Sequence, residues 1–409
     1  MAAVIDLGFR PWFSSGVNTD VIQDATWQVS ILRDAAGLRA LRDEWHALLV
    51  RSGAAEIFQT PEWLMAWWDV FGGGDRQLFV VVVRDGDRLM GVAPLLLHNA
   101  RSWGPTRVRR LEFIGTGEPE EDEVCSDFQD IVAEPAHMTA VSAHVWRRLM
   151  AARGDWDEAL FANVLDQSVL ARHLGPLARN AALTTRTLGQ SERFFINLTD
   201  GDFDTYLGRL SKKRRKRIAY CQRRLDKEGQ LTEQRLQHRD EIPAFLAELA
   251  RLNILRRTAQ KKASAFSSGL FKRFHELVAP QLWDQGWLDL RLWWRHGRCV
   301  AGLYNIVFSG TVYHYQSGFD TEAFGNLSPG LVTLVTAIQS GFANRCRRFD
   351  FQLGGKGSYK EDYGCETAAT VRLVVYNDSA AAHVMRGARD LRQALRALRE
   401  RYIKRRAAI

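Results

Sequence analysis

The chain has 409 residues, 46% of them hydrophobic and 25% charged, a balance that excludes a disordered polymer and allows one large core or two ordinary ones. Its formal charge of +9 favours an anionic partner. No apolar run approaches the roughly 20 residues needed to span a bilayer, and the first residues lack the order of a secretory signal, so a cytoplasmic chain is expected. Cys125, Cys221, Cys299, Cys346 and Cys365 are scattered, without metal-ligand spacing, and read as small buried hydrophobes.

In chain order, WQVSILR from Trp27 alternates as a strand and Ala36 to Val50 reads as a helix. Thr60-Pro61 opens a second helix, which carries Trp63, Leu64, Trp67, Trp68 and Phe71 and stops at Gly72-Gly73-Gly74. LFVVVVRDGDRLMGVAPLLL is a hairpin turning at Asp85-Gly86. RRLEFIG, SDFQDIVA and WDEALFANV read as further strands, and His137 to Ala151 as a helix. On a regular strand Asp127 and Asp130 would face opposite sides, so they are not expected to form a carboxylate pair.

SKKRRKRIAYCQRRLDKEG, Ser211 to Gly229, and the segment from Val384 onward are basic amphipathic helices. The second carries Val384, Ala388, Leu391, Leu395, Leu398 and Tyr402 at alternating steps of four and three residues, a seam that suits an anionic membrane surface. Between them lie WLDLRLWWRH, RCVAGLYNIVF and TVYHYQSG, separated by His296-Gly297 and Ser309-Gly310, which read as a meander. NLSPG then opens a helix over LVTLVTAIQSGFANRC; RRFDFQL is a strand, GGKGSYKEDYG a glycine-rich segment with two tyrosines, and VRLVVYN a closing strand. Alternating helices and strands give a mixed α/β class.

FQTPEWLMAWWDVFGGG, GRCVAGLYNIVFSGTVYHYQSGFD, LSPG and FDF followed by SYKEDYG, in that order, resemble the GNAT-superfamily acyltransferases. Within them the chain looks like the CelD (BcsL)-like cellulose-biosynthesis branch, related to the FemAB transferases and to bacterial ceramide-forming N-acyltransferases. The resemblance runs from about Thr26 to Asn377 and implies an α/β (α+β) fold of two tandem GNAT-like domains, each a mixed central sheet flanked by helices. The expected units are an N-terminal extension (1–25), an N-terminal domain (26–190), a catalytic C-terminal domain (191–380) and the basic C-terminal helix (381–409).

The implied chemistry is acyl transfer from acyl-CoA to an amine, with no metal. It requires a base for the attacking amine, an acid for the leaving thiolate and a fixed donor for the oxyanion. The resemblance places the oxyanion donor near Gln316, Ser317 and the residues up to Phe319. It puts the donor's pyrophosphate at Asn326, Ser328 and Gly330, where a helix N-terminus makes an anion site. Pro329 offers no N–H there, and the usual glycine-rich Q/R-x-x-G-x-G/A loop is absent, so an acyl carrier protein remains an alternative donor. His314, mid-strand and on the sheet face opposite Tyr313 and Tyr315, is the candidate base. Asp350, a carboxylate between Phe349 and Phe351, must be paired or functional, either as a base or as the holder of Lys360. Tyr359 and Tyr363 are candidate acids; Lys360, Tyr315 and Arg256 are candidate substrate-binding residues.

The acceptor is expected to be an amine on a lipid, with a sphingoid base the sharpest version, or on an envelope sugar. An acetyltransferase of exopolysaccharide or cellulose synthesis is the nearest alternative. A FemAB-like aminoacyl-tRNA-dependent transferase, or a non-catalytic envelope-assembly adaptor, are the others. No DNA partner is expected.

Overall fold

The computed structural model describes residues 27–53, 55–101, 107–227, 231–324, 327–355 and 357–407. The first part runs β1 (Gln28–Leu32), α1 (Ala35–Ala40), α2 (Arg42–Ser52), α3 (Pro61–Phe71), β2 (Gln77–Leu78), β3 (Val80–Asp85), β4 (Arg88–Ala93), β5 (Leu95–Arg101) and β6 (Arg107–Phe113). It continues with β7 (Val132–Ala133), α4 (Met138–Ala151), β8 (Glu158–Leu165), α5 (Val169–Asn180) and β9 (Thr184–Asn197). The second part comprises α6 (Phe203–Arg209), α7 (Lys212–Lys227), β10 (Thr232–Arg235), α8 (Ile242–Ala259), α9 (Gly269–Asp284), β11 (Leu288–Arg295), β12 (Arg298–Phe308) and β13 (Thr311–Phe319). It ends with α10 (Pro329–Ala343), β14 (Arg348–Gly354), β15 (Glu366–Tyr376) and α11 (Ala380–Ala407).

Two sheets result: β1-β3-β4-β7, and an eleven-stranded sheet ordered β10-β11-β12-β13-β14-β9-β15-β8-β6-β5-β2. The boundary expected near Ser191 falls inside β9, which pairs with β14 through residues 192–197 and with β15 through residues 184–195. The large sheet therefore continues from one half into the other. Four apolar clusters among the described residues pack on it; one of them packs α10, α6 and α7 residues such as Val335, Tyr206 and Ile218 over Phe349 and Phe351.

Local chemistry accounts for most elements. Thr60 caps α3 by accepting from Trp63 N, with Pro61 at the first turn where a missing N–H costs nothing. The Asp85-Gly86 turn closes β3 onto β4 in antiparallel register. SDFQDIVA is the exception: only Val132 and Ala133 are strand, because Cys125 and Phe128 take left-handed backbone with φ of 53° and 60°. Asp130 instead turns to α5 and accepts from Val169 N and Leu170 N at 2.7 and 2.8 Å, capping its first turn. No described helix is long and apolar enough to cross a membrane.

Candidate active site

The β11–β12–β13 meander is antiparallel, and β13 then lies parallel to β14. That parallel pairing holds only from Thr311/Arg348 to Tyr313/Asp350. Beyond it the strands part, and β14 bends at a bulge where Gln352 has φ of 60°. The opening is bordered on the β13 side by His314 to Phe319 and on the β14 side by Phe351 to Gly354.

His314 is 7% exposed and lies against the rings of Phe349 and Phe351, on the face opposite Tyr313 and Tyr315, as strand alternation predicts. A register shift beside Asn305 sets that residue directly across from His314. Asn305 spends Nδ2 on Asp289 Oδ2 (3.1 Å), so its Oδ1 faces the ring and accepts from His314 Nδ1 at 3.2 Å. Asp289 is gripped by Arg291 at 2.8 and 2.9 Å, and Arg291 also donates to Ser340 of α10. The relay fixes the tautomer: Nδ1 carries the proton, and Nε2 keeps its lone pair with no hydrogen-bond partner among the described residues. Burial, with Lys360 and Arg256 nearby, holds the imidazole neutral by pushing its pKa down to about 3.

Arg256 reaches the opening from α8. Gly318 makes this approach possible, since a Cβ there would collide with the backbone of Leu252 and Asn253. Asn253 Nδ2 donates to the Ser317 carbonyl at 2.8 Å and to Gln316 Oε1 at 3.4 Å. One turn on, Arg256 Nη1 donates to Ser317 Oγ at 3.0 Å and its guanidinium lies 5.4 Å from the Phe319 ring centre. Its Nε is buried without a partner among the described residues.

The Phe319 ring is what a Cβ at Gly330 would strike, at 2.8 Å, so the end of β13 packs on the first turn of α10. Ser328 is the N-cap of α10 and makes no side-chain cap; its Oγ accepts instead from Arg217 of α7 at 3.0 Å. A guanidinium is thus held at the positive end of a helix, where an anion would be doubly favoured. Asn326 lies outside the described residues.

The β14 side is different. Asp350 is fully buried; its Oδ2 accepts from Arg193 Nε at 2.5 Å and its Oδ1 from Gln352 N at 2.7 Å. Arg193 also grips Glu56 at 2.5 and 2.9 Å, and Tyr313 Oη donates to Glu56 Oε2 at 2.5 Å. Burial raises the Asp350 carboxyl and Arg193 opposes the rise. Lys360 does not pair with Asp350 directly: Nζ donates to the Phe351 carbonyl at 2.6 Å, and to those of Gln352 and Leu353. It clips the bent end of β14. Burial lowers its pKa, while Asp350 and Asp127 oppose.

Tyr315 donates to the Val124 carbonyl at 2.8 Å and meets His275 at 3.2 Å, on the far face from His314. Tyr363 is buried against Phe351 under the Arg214 guanidinium, whereas Tyr359 is 53% exposed. The structure therefore gathers His314, Arg256, Gln316, Ser317 and Phe319 at the opening and Ser328 and Gly330 next to it. Asp350, Lys360 and Tyr315 are committed elsewhere. Sequence reading missed Asn305 and Asp289, although polar residues within apolar strands were a visible signal, and Arg217, which was hidden in a run of cations.

The fold is similar to that of FemX, with a TM-score of 0.59 at 11% identity, covering 82% of this chain and 96% of that one. More distant likenesses are L-PGS from Bacillus licheniformis (TM-score 0.49, 15% identity, 85% and 96% covered) and a tandem GNAT protein from the clavulanic acid biosynthesis pathway (TM-score 0.44, 11% identity, 86% and 100% covered). No curated protein matches the chain. Residues 212–361, which hold α7, the meander, α10 and β14, match the family described as the acetyltransferase (GNAT) domain.

Proposed function

We propose that this chain is an N-acyltransferase that moves an acyl group from acyl-CoA to an amine, and that the amine belongs to a lipid of the sphingoid-base type, giving a ceramide-like amide. The observation that carries the reading is the buried His314 imidazole on the strand that borders the β13–β14 splay: neutral, its Nδ1 proton fixed on Asn305, and its Nε2 without a hydrogen-bond partner among the described residues. In the step, the amine nitrogen bonds to the thioester carbonyl carbon and the carbon–sulfur bond breaks. The amine's proton passes to His314 Nε2, and the thiolate takes a proton from an acid. Tyr359, the more exposed of the two tyrosines and close enough to Arg256 to feel its charge, is that acid. In this reading Arg217, Ser328 and the α10 N-terminus receive the donor's pyrophosphate, a role supported by the Arg217–Ser328 contact at the positive end of the helix.

The lipid acceptor draws support from α11, where Val384, Leu391, Leu395 and Leu398 are 52%, 46%, 52% and 60% exposed along an arginine-rich helix. That seam suits a peripheral position on an anionic membrane face. In this reading 26–190 and 191–380 are two GNAT-like halves sharing β9, and the chain belongs with the CelD-like and ceramide-forming branch. Transfer of an acetyl group to an envelope sugar is the neighbouring alternative. One observation favours a second reading: Lys212, Lys213, Arg215 and Lys216 of α7 are all exposed, a cationic row that would suit the RNA of an aminoacyl-tRNA donor.

The test is thiol release from acetyl- and palmitoyl-CoA, and from palmitoyl-acyl carrier protein, with sphinganine, glucosamine or no acceptor. Release with palmitoyl-CoA that depends on sphinganine supports the proposal. A preference for acetyl-CoA and glucosamine moves it to glycan acetylation. No release from any thioester, together with salt-sensitive tRNA binding, replaces it by the second reading.

A further inference from the structure

A cavity of about 270 Å³ lies against β6, β8 and β15, two strands beyond β14, under the loop that runs from Gly115 to Asp127. Its charged lining is Arg110, Glu112, Glu118, Glu123, Asp127 and Arg372. Arg110 and Glu112 are occupied, the first by Glu158 at 2.5 Å and the second by His98 at 3.1 Å, and they contact each other at 3.2 Å. Among the described residues Glu118 receives only neutral donors, Trp67 Nε1 at 3.2 Å and Val124 N at 3.0 Å.

Asp127 is 5% exposed. Its Oδ1 accepts from Asn163 Nδ2 at 2.8 Å, while Oδ2 has no partner among the described residues and is left to the cavity that Asp127 lines. Glu123 is exposed at the wall, and Arg372 is the cation that offsets it. Glu118, Glu123 and Asp127 thus stand against Arg372, with a negative excess around a space large enough for an organic molecule of amino-sugar size. The carboxylates are spread around the wall; no group of three His, Cys, Asp or Glu converges at metal-ligand distance among the described residues.

We propose that this cavity binds a primary ammonium carried on a small hydroxylated scaffold, an amino-alcohol or amino-sugar, with Asp127 Oδ2 and Glu118 as its counter-charges. Burial pushes both carboxyls up to about 7, although Asn163 and the Lys360 charge pull Asp127 down and the Val124 and Trp67 donors pull Glu118 down. The same loop reaches the β13 strand, where the Val124 carbonyl receives the Tyr315 hydroxyl. The ammonium belongs either to the acceptor of the transfer, in which case the assignment rests on the function proposed above, or to a separate ligand, in which case it does not.

Calorimetric titration of the full chain with 2-amino-1,3-propanediol and with glucosamine, using glycerol and N-acetylglucosamine as uncharged counterparts, tests the site. At least one of the two amines should bind saturably and both uncharged compounds should not. Loss of a charge-assisted contact in Asp127→Asn should weaken binding about tenfold. Glu123→Gln, at an exposed position that leaves the fold alone, should weaken it about threefold. Glu121→Gln, which removes a charge outside the cavity, should leave it unchanged. Absence of saturable amine binding, or binding indifferent to both cavity substitutions, overturns the proposal. Thiol-release kinetics separate the sources: an acceptor KM raised in parallel in Asp127→Asn identifies the acceptor, and an unchanged KM alongside weakened binding identifies a separate ligand. Failure of all transfer would remove the transferase reading and leave the calorimetry to decide the cavity.

Discussion

The two strands that border the splay, β13 and β14, each bury an ionisable side chain, and they use it in opposite ways. On β14, both oxygens of Asp350 are engaged, by Arg193 and by the backbone of Gln352, and Lys360 is tied to three carbonyls. On β13, His314 is engaged at one nitrogen only. Burial and a charged neighbourhood are common to both sides; in the proposed mechanism, what separates scaffold from chemistry is whether a lone pair remains available.

The largest effect expected on the β14 side is in stability. Arg193→Met would leave Glu56 and Asp350 as buried carboxylates without their cation, at a cost of about 3–5 kcal/mol by chemical denaturation. A loss below about 1 kcal/mol would mean that Asp350 is not held as scaffold, and the comparison would fail.

Asp127 sharpens it from a third position. Its carboxyl is raised from 3.8 to about 7, so the folded state binds the proton more tightly than the unfolded chain. That contribution is full below the ordinary carboxylate value and is lost as pH rises through about 7. Asp127→Asn should therefore match the wild type near pH 4 and exceed it at pH 8 by up to about 4 kcal/mol, measured as unfolding free energy across pH. A gain that does not grow with pH would show that Asp127 is already compensated.

On the β13 side the effects should be kinetic. Asn305→Leu removes the acceptor for Nδ1–H and frees the tautomer; kcat should fall about 10- to 100-fold while the donor KM holds, since the group acts through His314 alone. Smaller still, Arg217→Gln should raise the KM for acyl-CoA about 5- to 10-fold, the size of one charge-assisted contact, with kcat little changed. A kcat effect from Arg217, or a KM effect from Asn305, would blur the division of labour.

Much of this region was legible in the sequence. The meander, α10 and β14 have long apolar patterns bounded by turn residues, and alternation alone assigned His314 to the face opposite Tyr313 and Tyr315. The pairing of Asp350 followed from its burial between two phenylalanines, but its partner, Arg193, is 157 residues away and no local rule points to it. Asn305 became the partner of His314 only through a register shift in β12. SDFQDIVA misled because its alternation is short, and two left-handed residues turn it into the wall of a cavity. Lys360, expected to bind substrate or to be held by Asp350, is claimed instead by the carbonyls at the bend in β14.

The most direct test is His314→Gln, assayed by acceptor-dependent thiol release over pH 5 to 9. A folded variant whose kcat falls about 10²- to 10⁴-fold, with donor KM nearly unchanged and a wild-type profile lacking an inflection near pH 6.5, is the result expected of a neutral base with a pKa of about 3. Activity within about threefold of wild type would contradict the assignment and return His314 to the core.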